Sequence, residues 1–252
     1  MFMHDPEGKT PVNEGTDIPL FYLGEDPASQ LVAKGGAGHE FHRLSIEESC
    51  LRQLKNPYSL RCIAEYFAKI IRENRPTGPY MLGGGWVHGV LALETAQILR
   101  EQGQDVALLV LLETINPARM RQQTRLTRMM AKMFFALEYK YLRWLPKGPA
   151  IETQLIQSTP LEILYAAVGN YQPRLYDSPV LLIRGRRGIL GLARDKYLGW
   201  GETLGSQVEV CETKGNMYAG PNLERLAQKI RESLEHAEEH WEEHLGGAGQ
   251  MA

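Results

Sequence analysis

The residues that could carry chemistry lie in a glycine turn between two predicted elements. The segment from Gly78 to Ala92, GPYMLGGGWVHGVLA, has the pattern of a short strand, a glycine run and the start of a helix. In acyl-transfer enzymes such a turn presents a nucleophile to a pocket, and its glycines relieve a strained and crowded backbone. The turn here holds neither serine nor cysteine. We therefore expect the scaffold of an acyl-transfer enzyme without its nucleophile.

The elements around this turn predict an α/β architecture. A strand at Tyr80 to Leu82 precedes the turn, a helix from Val87 to Gln102 follows it, and the apolar run Val106 to Leu112 is typical of a buried parallel strand. The other predicted elements are strands at Ile18 to Leu23, Pro179 to Arg184 and Gln207 to Glu212, and helices at Tyr58 to Asn74 and Leu223 to about His244. This series predicts a mostly parallel sheet flanked by helices.

The remaining segments predict one domain with an insertion. Residues 118–168 have a helical pattern between two core strands and are interpreted as a lid. Glu25 to Gly38 is predicted as a turn-rich loop, and Ser45 to Glu48 as a helix-capping segment. We expect residues 1–17 to be a flexible leader, 18–245 a single domain and 246–252 a disordered tail. The starting methionine and the short leader favour a free-standing protein.

Several motifs resemble the thioesterase domain family of nonribosomal peptide and polyketide synthesis. The run Gly78-Pro79-Tyr80, the segment Ala92 to Leu99 with Gly103 after it, Tyr171-Gln172-Pro173 and Asp195 to Trp200 carry the resemblance, which extends from Ile18 to about Leu234. The resemblance implies an α/β-hydrolase fold, and a Ser or Cys, an Asp and a His as the catalytic triad.

The same resemblance assigns the triad to positions that depart from the family pattern. In ungapped register the nucleophile position is Trp86, the acid position is Glu113 after the strand Val106 to Leu112, and the base position is Met217 in Gly215-Asn216-Met217. An indole cannot attack a thioester, and a thioether cannot accept a proton. A count independent of alignment agrees: none of the seven histidines lies between His88 and His236, so the loop before the closing helix supplies no imidazole base.

Three further positions are candidate ligand-binding or acid–base groups. In this family a glycine after the first core strand and the residue after the nucleophile frame the oxyanion, which assigns that role to Gly24 and Val87. Glu25 and Asp26 follow Gly24, and two carboxylates there would oppose a developing negative charge. His88 is a possible alternative acid or base. The alternative that we weigh against it is a helix-start histidine bonded to backbone.

The predicted lid is basic and rich in apolar side chains. Eight Lys and Arg residues and one acid, Glu138, lie between Arg119 and Lys147, with Met129 and Met133 among aromatic residues as candidate acyl contacts. This composition suits an acidic acyl carrier or peptidyl carrier protein that delivers its substrate on a phosphopantetheine arm; no cofactor is otherwise expected. A membrane surface and an ordinary solvated lid are the alternatives.

Composition excludes several other classes. The formal net charge of −2 over 252 residues gives no basic bias toward nucleic acid, and the longest apolar run is too short to cross a bilayer. Three spaced cysteines and the absence of a signal sequence favour the cytoplasm. His236, His240 and His244 share a helix face, but the glutamates around them favour a solvated face over a metal site.

Three functions follow from these observations. The leading hypothesis is a thioesterase-like protein that has lost nucleophile and base and binds an acyl group or its carrier without hydrolysis. The first alternative is an enzyme with rebuilt chemistry, a cyclase, lyase or acyltransferase that uses His88 and Glu113. The second alternative is a conventional acyl-thioester hydrolase.

Overall fold

Six parallel strands form the centre of the protein. In the computed structural model, residues 18–45, 51, 54–56, 59–122, 159–185 and 195–248 are described. The strands are β1 (Leu20–Leu23), β2 (Phe41–Leu44), β3 (Tyr80–Gly85), β4 (Val106–Leu112), β5 (Val180–Gly185) and β6 (Val208–Thr213), in the spatial order β2-β1-β3-β4-β5-β6. Every pairing is parallel, so the carboxyl ends of all strands meet at one edge of the sheet.

Helices cover both faces of this sheet. They are α1 (Ala28–Gly35), α2 (Leu60–Asn74), α3 (Trp86–Glu101), α4 (Pro117–Gln122), α5 (Thr159–Asn170) and α6 (Gly220–Ala248). Apolar side chains of α1 and α6 pack in a core on one face, and those of α2, α3 and α5 pack in a second core on the other. This arrangement confirms the predicted α/β-hydrolase-type fold.

The strand before the turn is longer than predicted. It runs to Gly85 rather than Leu82, because its glycines pair along β4, with Gly83 opposite Val110 and Gly85 opposite Leu112. Periodicity gives no strand signal in three consecutive glycines, whereas the neighbouring strands supply hydrogen bonds on both sides. The neighbouring strand β4 has the predicted bounds at both ends.

The segment predicted as a loop after β1 folds into a helix. Residues 28–35 form α1, with Leu31 and Val32 buried against the sheet, and β2 then adds an edge strand that the sequence pattern did not indicate. Both elements are short and polar in part. Their stability therefore comes from packing and pairing rather than from local propensity.

The boundaries at the chain ends and in the insertion differ in part from the prediction. The closing helix α6 begins at Gly220 and continues to Ala248, so residues 246–248, predicted as disordered tail, are helical. The leader 1–17, residues 249–252, the capping segment from residue 46 and lid residues 123–158 lie outside the described residues. Helices α4 and α5 form the two ends of the insertion between β4 and β5.

Within the described ranges, no helix combines the length and apolarity that a bilayer span requires.

Candidate active site

Trp86 is the residue at the turn between β3 and α3, where the sequence predicts the nucleophile position. Its φ is +48°, a left-handed conformation that a bulky side chain rarely adopts, and 42% of its surface is exposed. Trp86 thus has the kind of strained backbone that is typical of a nucleophile-bearing turn, and its exposed side chain is an indole.

Close packing explains the glycines on both sides of Trp86. A Cβ on Gly84 would lie 2.5 Å from the backbone oxygen of His88, and a Cβ on Gly89 would lie 1.9 Å from Oγ1 of Thr114. Both distances are well inside van der Waals contact. The two glycines thus allow α3 to begin directly against the ends of β3 and β4.

The amino terminus of α3 has backbone N–H groups that no side chain caps. The residue before the helix is Gly85, and it provides no side-chain hydrogen bond to the first turn. Val87, half-buried, is the second residue of the helix. Uncapped N–H groups at a helix start carry partial positive charge and suit a carbonyl or anionic oxygen, the role predicted for Val87.

Glu113 and Met217 come together at the carboxyl ends of β4 and β5. The Glu113 carboxylate accepts a hydrogen bond from the Gly185 N–H, and its own φ is +50°. A Cβ on Gly185 would lie 2.9 Å from Oε1 of Glu113 and 3.5 Å from Cε of Met217, which is 5% exposed. The acid and base positions given by the sequence are thus neighbours, with a buried thioether in place of an imidazole.

His88 has a carboxylate neighbour that the sequence did not indicate. Its Nδ1 lies 3.2 Å from Oδ2 of Asp26 in an ion-pair contact, and both atoms are enclosed and have no hydrogen-bond partner. Oδ1 of Asp26 accepts hydrogen bonds from Tyr22 Oη and the Ala28 N–H, each at 2.8 Å. Burial, and then the Asp26 carboxylate, raise the pKa of Tyr22 well above its ordinary value.

His88 and Glu113 contact different segments. His88 pairs with Asp26 of the segment after β1, whereas Glu113, which follows the neighbouring strand β4, accepts a hydrogen bond from Gly185 at the end of β5. The sequence offered Asp26 only as a carboxylate that opposes an oxyanion. Its part as the partner of His88 was missed, because 62 residues separate them and only the β1–β3 pairing brings them close.

Gly24 makes contacts that differ from those of an oxyanion donor. Its N–H donates to the carbonyl oxygen of Leu44 at 2.8 Å, so it is not available to a ligand. Its φ is +113°, and a Cβ there would lie 2.6 Å from Cγ of His88. Gly24 therefore provides the space that the His88 ring occupies. Of the two carboxylates that follow it, Glu25 is exposed and Asp26 is buried.

Two segments that carried the resemblance contact each other. The Tyr171 hydroxyl donates to Oε2 of Glu94 at 2.6 Å, and Arg174 lies 3.3 Å from Oε1 of the same buried carboxylate. Burial, and then Glu94, raise the pKa of Tyr171. In addition, Trp200 donates its indole N–H to the Thr114 carbonyl at 2.7 Å. These contacts join the segment before β5 to α3, and the segment around Trp200 to the residues that follow β4.

Only the first part of the predicted basic lid is described, and its two arginines already have partners within the protein. Arg119 pairs with Glu202, and Arg121 donates to the carbonyl oxygens of Gly169 and Tyr171. Arg119 and Glu202 also line a cavity of about 290 Å³, which includes none of the predicted site residues. Met129 and Met133 lie outside the described residues.

The described part of the chain contains no group of three or more His, Cys, Asp and Glu side chains that could hold a metal ion. The His236 and His240 rings are 6.5 Å apart on α6, and nothing beside them completes a site among those residues.

Comparisons with known proteins agree with this architecture. A family model described as "Thioesterase domain" matches residues 35–234. The thioesterase pytI of Aspergillus terreus is 45% identical over 73 residues, which are 29% of this chain and 24% of that protein. The non-reducing polyketide synthase crz7 of Cladonia metacorallifera is 39% identical over 59 residues, 23% of this chain and 3% of the synthase. The matches thus span less than a quarter of these relatives.

Solved structures share the fold at low sequence identity. The NocB thioesterase domain in covalent complex with a fluorophosphonate nocardicin G analog has a TM-score of 0.64 and 23% identity, over 87% of this chain and 95% of that chain. The type II thioesterase BorB from the borrelidin biosynthetic cluster has a TM-score of 0.63 and 17% identity, over 89% and 95%.

Proposed function

Because the chain belongs to the thioesterase domain family, we propose that it binds the acyl group of a carrier-bound thioester at Trp86 without forming an acyl-enzyme. The setting is polyketide or nonribosomal peptide biosynthesis, as the names of a thioesterase and of polyketide synthases among the relatives suggest. The partner is an acyl or peptidyl carrier protein, which presents the substrate on its phosphopantetheine arm.

One observation carries this proposal: an exposed indole takes the strained position from which a hydroxyl or thiol would attack. Covalent catalysis needs a nucleophile and a base within hydrogen-bond reach of it. Trp86 has no nucleophilic oxygen or sulfur, and the thioether of Met217 takes no proton at the base position. The two-step route through an acyl-enzyme therefore has neither of its participants.

The same turn retains what is needed for binding. The exposed face of Trp86 offers apolar surface to an acyl chain or to the pantetheine arm, and aromatic anchors of this kind contribute strongly to affinity. The uncapped N–H groups of α3, Val87 among them, can donate to the thioester carbonyl. An acyl group held in this way stays bound through its carbonyl and chain alone.

Carrier docking rests on basic residues other than Arg119 and Arg121. Arg119 pairs with the Glu202 carboxylate, and Arg121 donates to two backbone carbonyl oxygens, so both side chains are held by contacts within the protein. The proposal therefore gives the docking role to the remaining basic residues between 125 and 147. A variant of Arg121 would disturb the anchoring of α4 and would not test docking.

The test is a binding measurement with an acyl-pantetheine thioester. Trp86→Ala should weaken binding about tenfold, the loss of one aromatic anchor. Leu175→Ala is the matched control, because Leu175 is an apolar residue with 71% exposure that precedes β5, at the opposite edge of the sheet. Intact mass after incubation should remain that of the unmodified protein.

Two results would overturn this function. One is equal affinity of the Trp86→Ala and unmodified proteins. The other is a protein mass increased by one acyl group, which would require a nucleophile that the turn does not contain.

A further inference from the structure

The Asp26–His88 pair beside the turn has the composition of an acid–base site. We propose that His88 is a general base, oriented by Asp26, which removes the proton from a hydroxyl group so that this oxygen attacks the bound thioester directly. The hydroxyl belongs either to the acyl chain itself or to water. This inference rests on the proposed function in one respect, since it requires that the thioester be held at Trp86.

The hydrogen bonds of Asp26 determine which nitrogen of His88 carries the hydrogen. Tyr22 and the Ala28 N–H both donate to Oδ1, so the carboxylate acts as an acceptor and its Oδ2 is left for His88. Oδ2 and Nδ1 are enclosed, lie 3.2 Å apart and have no hydrogen-bond partner in the structure. Because a buried polar atom without a partner is unfavourable, we infer that Nδ1 carries the hydrogen and donates it to Oδ2 after a small rotation of the ring. Nε2 then holds the lone pair of a base.

The surroundings of the ring leave Nε2 on its accessible side. The His88 side chain keeps 20% exposure although Nδ1 is enclosed, so the exposure falls on the rest of the ring, which includes Nε2. Gly24 supports the opposite side, since any Cβ there would collide with the ring. A carboxylate, an imidazole and an accessible nitrogen in this order form the acid–base half of a triad without its serine.

The position of His88 brings the base close to the proposed carbonyl site. His88 lies in the first turn of α3, the same turn whose uncapped N–H groups would bind the thioester oxygen. A base and an electrophile on one helical turn allow attack by an oxygen that no protein side chain provides. This removes the need for a nucleophile at Trp86 and for an imidazole at Met217.

The reaction balances without a further reagent. Nε2 of His88 takes the proton from the hydroxyl, and the oxygen forms a bond to the carbonyl carbon. The carbon–sulfur bond then breaks, and the leaving thiolate takes the proton back from Nε2. An acyl-chain hydroxyl gives a lactone and water gives a free acid; the other product in each case is the thiol of the pantetheine arm.

The experiment compares two pantetheine thioesters, one of a hydroxyacyl chain long enough to cyclise and one of the same chain without the hydroxyl. Thiol release is followed by colour reaction, and products are separated by mass spectrometry. The unmodified protein should release thiol faster than buffer. His88→Ala should lose about 100-fold or more, the range of general-base catalysis, and added imidazole should restore part of the rate. His236→Ala, an exposed histidine on α6, is the control and should leave the rate unchanged.

Asp26 is a positioning residue, and the Asp26→Asn variant tests whether it orients the His88 ring or only stabilises the fold. Asp26→Asn should lower kcat with KM unchanged, and imidazole should not restore the rate because His88 still fills the site. Lactone from the first thioester identifies the chain hydroxyl as the nucleophile. Free acid from both thioesters identifies water.

The outcomes distinguish this inference from the proposed function. Binding of either thioester without thiol release above buffer would overturn the general base and leave the binding function intact. Thiol release unaffected by His88→Ala, or not restored by imidazole, would overturn it as well. Failure of the unmodified protein to bind either thioester would overturn both proposals.

Discussion

The residues predicted at the nucleophile and acid positions both have an unusual backbone conformation. Trp86 and Glu113 both have left-handed φ values, +48° and +50°, at the ends of paired strands. Such conformations cost about 1–3 kcal/mol in a non-glycine residue and persist where the surrounding structure imposes them. Here the close packing at Gly84 and Gly89 imposes the conformation of the turn at Trp86.

This separation of backbone and side chain predicts the result of restoring the triad. Trp86→Ser alone should not become acylated, because Met217 provides no base. Trp86→Ser combined with Met217→His should react slowly, since Glu113 lies beside that position and can orient an imidazole. Labelling by a fluorophosphonate, measured by intact mass, checks both variants.

A control separates the introduced base from His88. Adding His88→Ala to the double variant should leave its labelling in place, because the His88 ring faces Gly24. Rapid labelling of Trp86→Ser by itself would contradict the assignment of Met217 to the base position.

At the scale of elements, the close contact between β3 and α3 depends on glycine, which has no side chain, at Gly84. Gly84→Ala would force a Cβ to within 2.5 Å of the His88 carbonyl oxygen, which is backbone and cannot rotate away. Overpacking of this kind costs about 1–3 kcal/mol. We expect that loss in the free energy of unfolding, measured with urea. Gly169→Ala is the matched control in α5, where a Cβ meets nothing within 4 Å, and it should be neutral or slightly stabilising.

The loop before β5 is held to α3 by a buried carboxylate. Glu94 is 2% exposed and accepts the Tyr171 hydroxyl at 2.6 Å. Hydrogen bonds to charged groups contribute about 1.5–3 kcal/mol, so Tyr171→Phe should lower the free energy of unfolding by an amount of that order. Tyr165→Phe, at a tyrosine with 54% exposure, should change it little. Equal losses in urea unfolding of the two variants would contradict the role of Glu94.

At the scale of the whole molecule, the ion pairs of Glu101 predict how the free energy of unfolding changes at acid pH. Hydrogen bonds from Arg61, then Arg174, lower the pKa of Glu101 to about 2. A lowered pKa contributes stability above the ordinary value near 4.5, and this contribution is lost as the pH falls from there toward 2. Because the Glu101 side chain is 38% exposed, the contribution is about 0–1 kcal/mol.

Glu101→Gln checks this prediction. The variant should be less stable than the unmodified protein near neutral pH, and in urea unfolding the difference should shrink as the pH falls from about 4.5 toward 2. High salt should reduce the difference as well. A difference that grows as the pH falls would contradict the direction of the pKa shift.

Local sequence patterns determined the main elements and the missing chemistry. Val106 to Leu112 is apolar throughout because it is buried on both faces of the sheet, and its bounds could be predicted from that property alone. Trp86 and Met217 are residue types that supply neither a nucleophile nor a base, so the sequence alone predicts that no usual triad forms at these two positions. These conclusions depend on composition within one segment.

The tertiary structure decided which polar groups meet. Asp26 and His88 become partners because β1 and β3 pair side by side, and Glu113 contacts Gly185 because β4 and β5 are neighbours. The helix α1 and the edge strand β2 likewise exist through contacts with the sheet. Contacts between distant segments depend on packing across the whole sheet, and no local periodicity encodes them. For that reason the residue types at Trp86 and Met217 could be read from the sequence, whereas the Asp26–His88 pair could not be predicted from it.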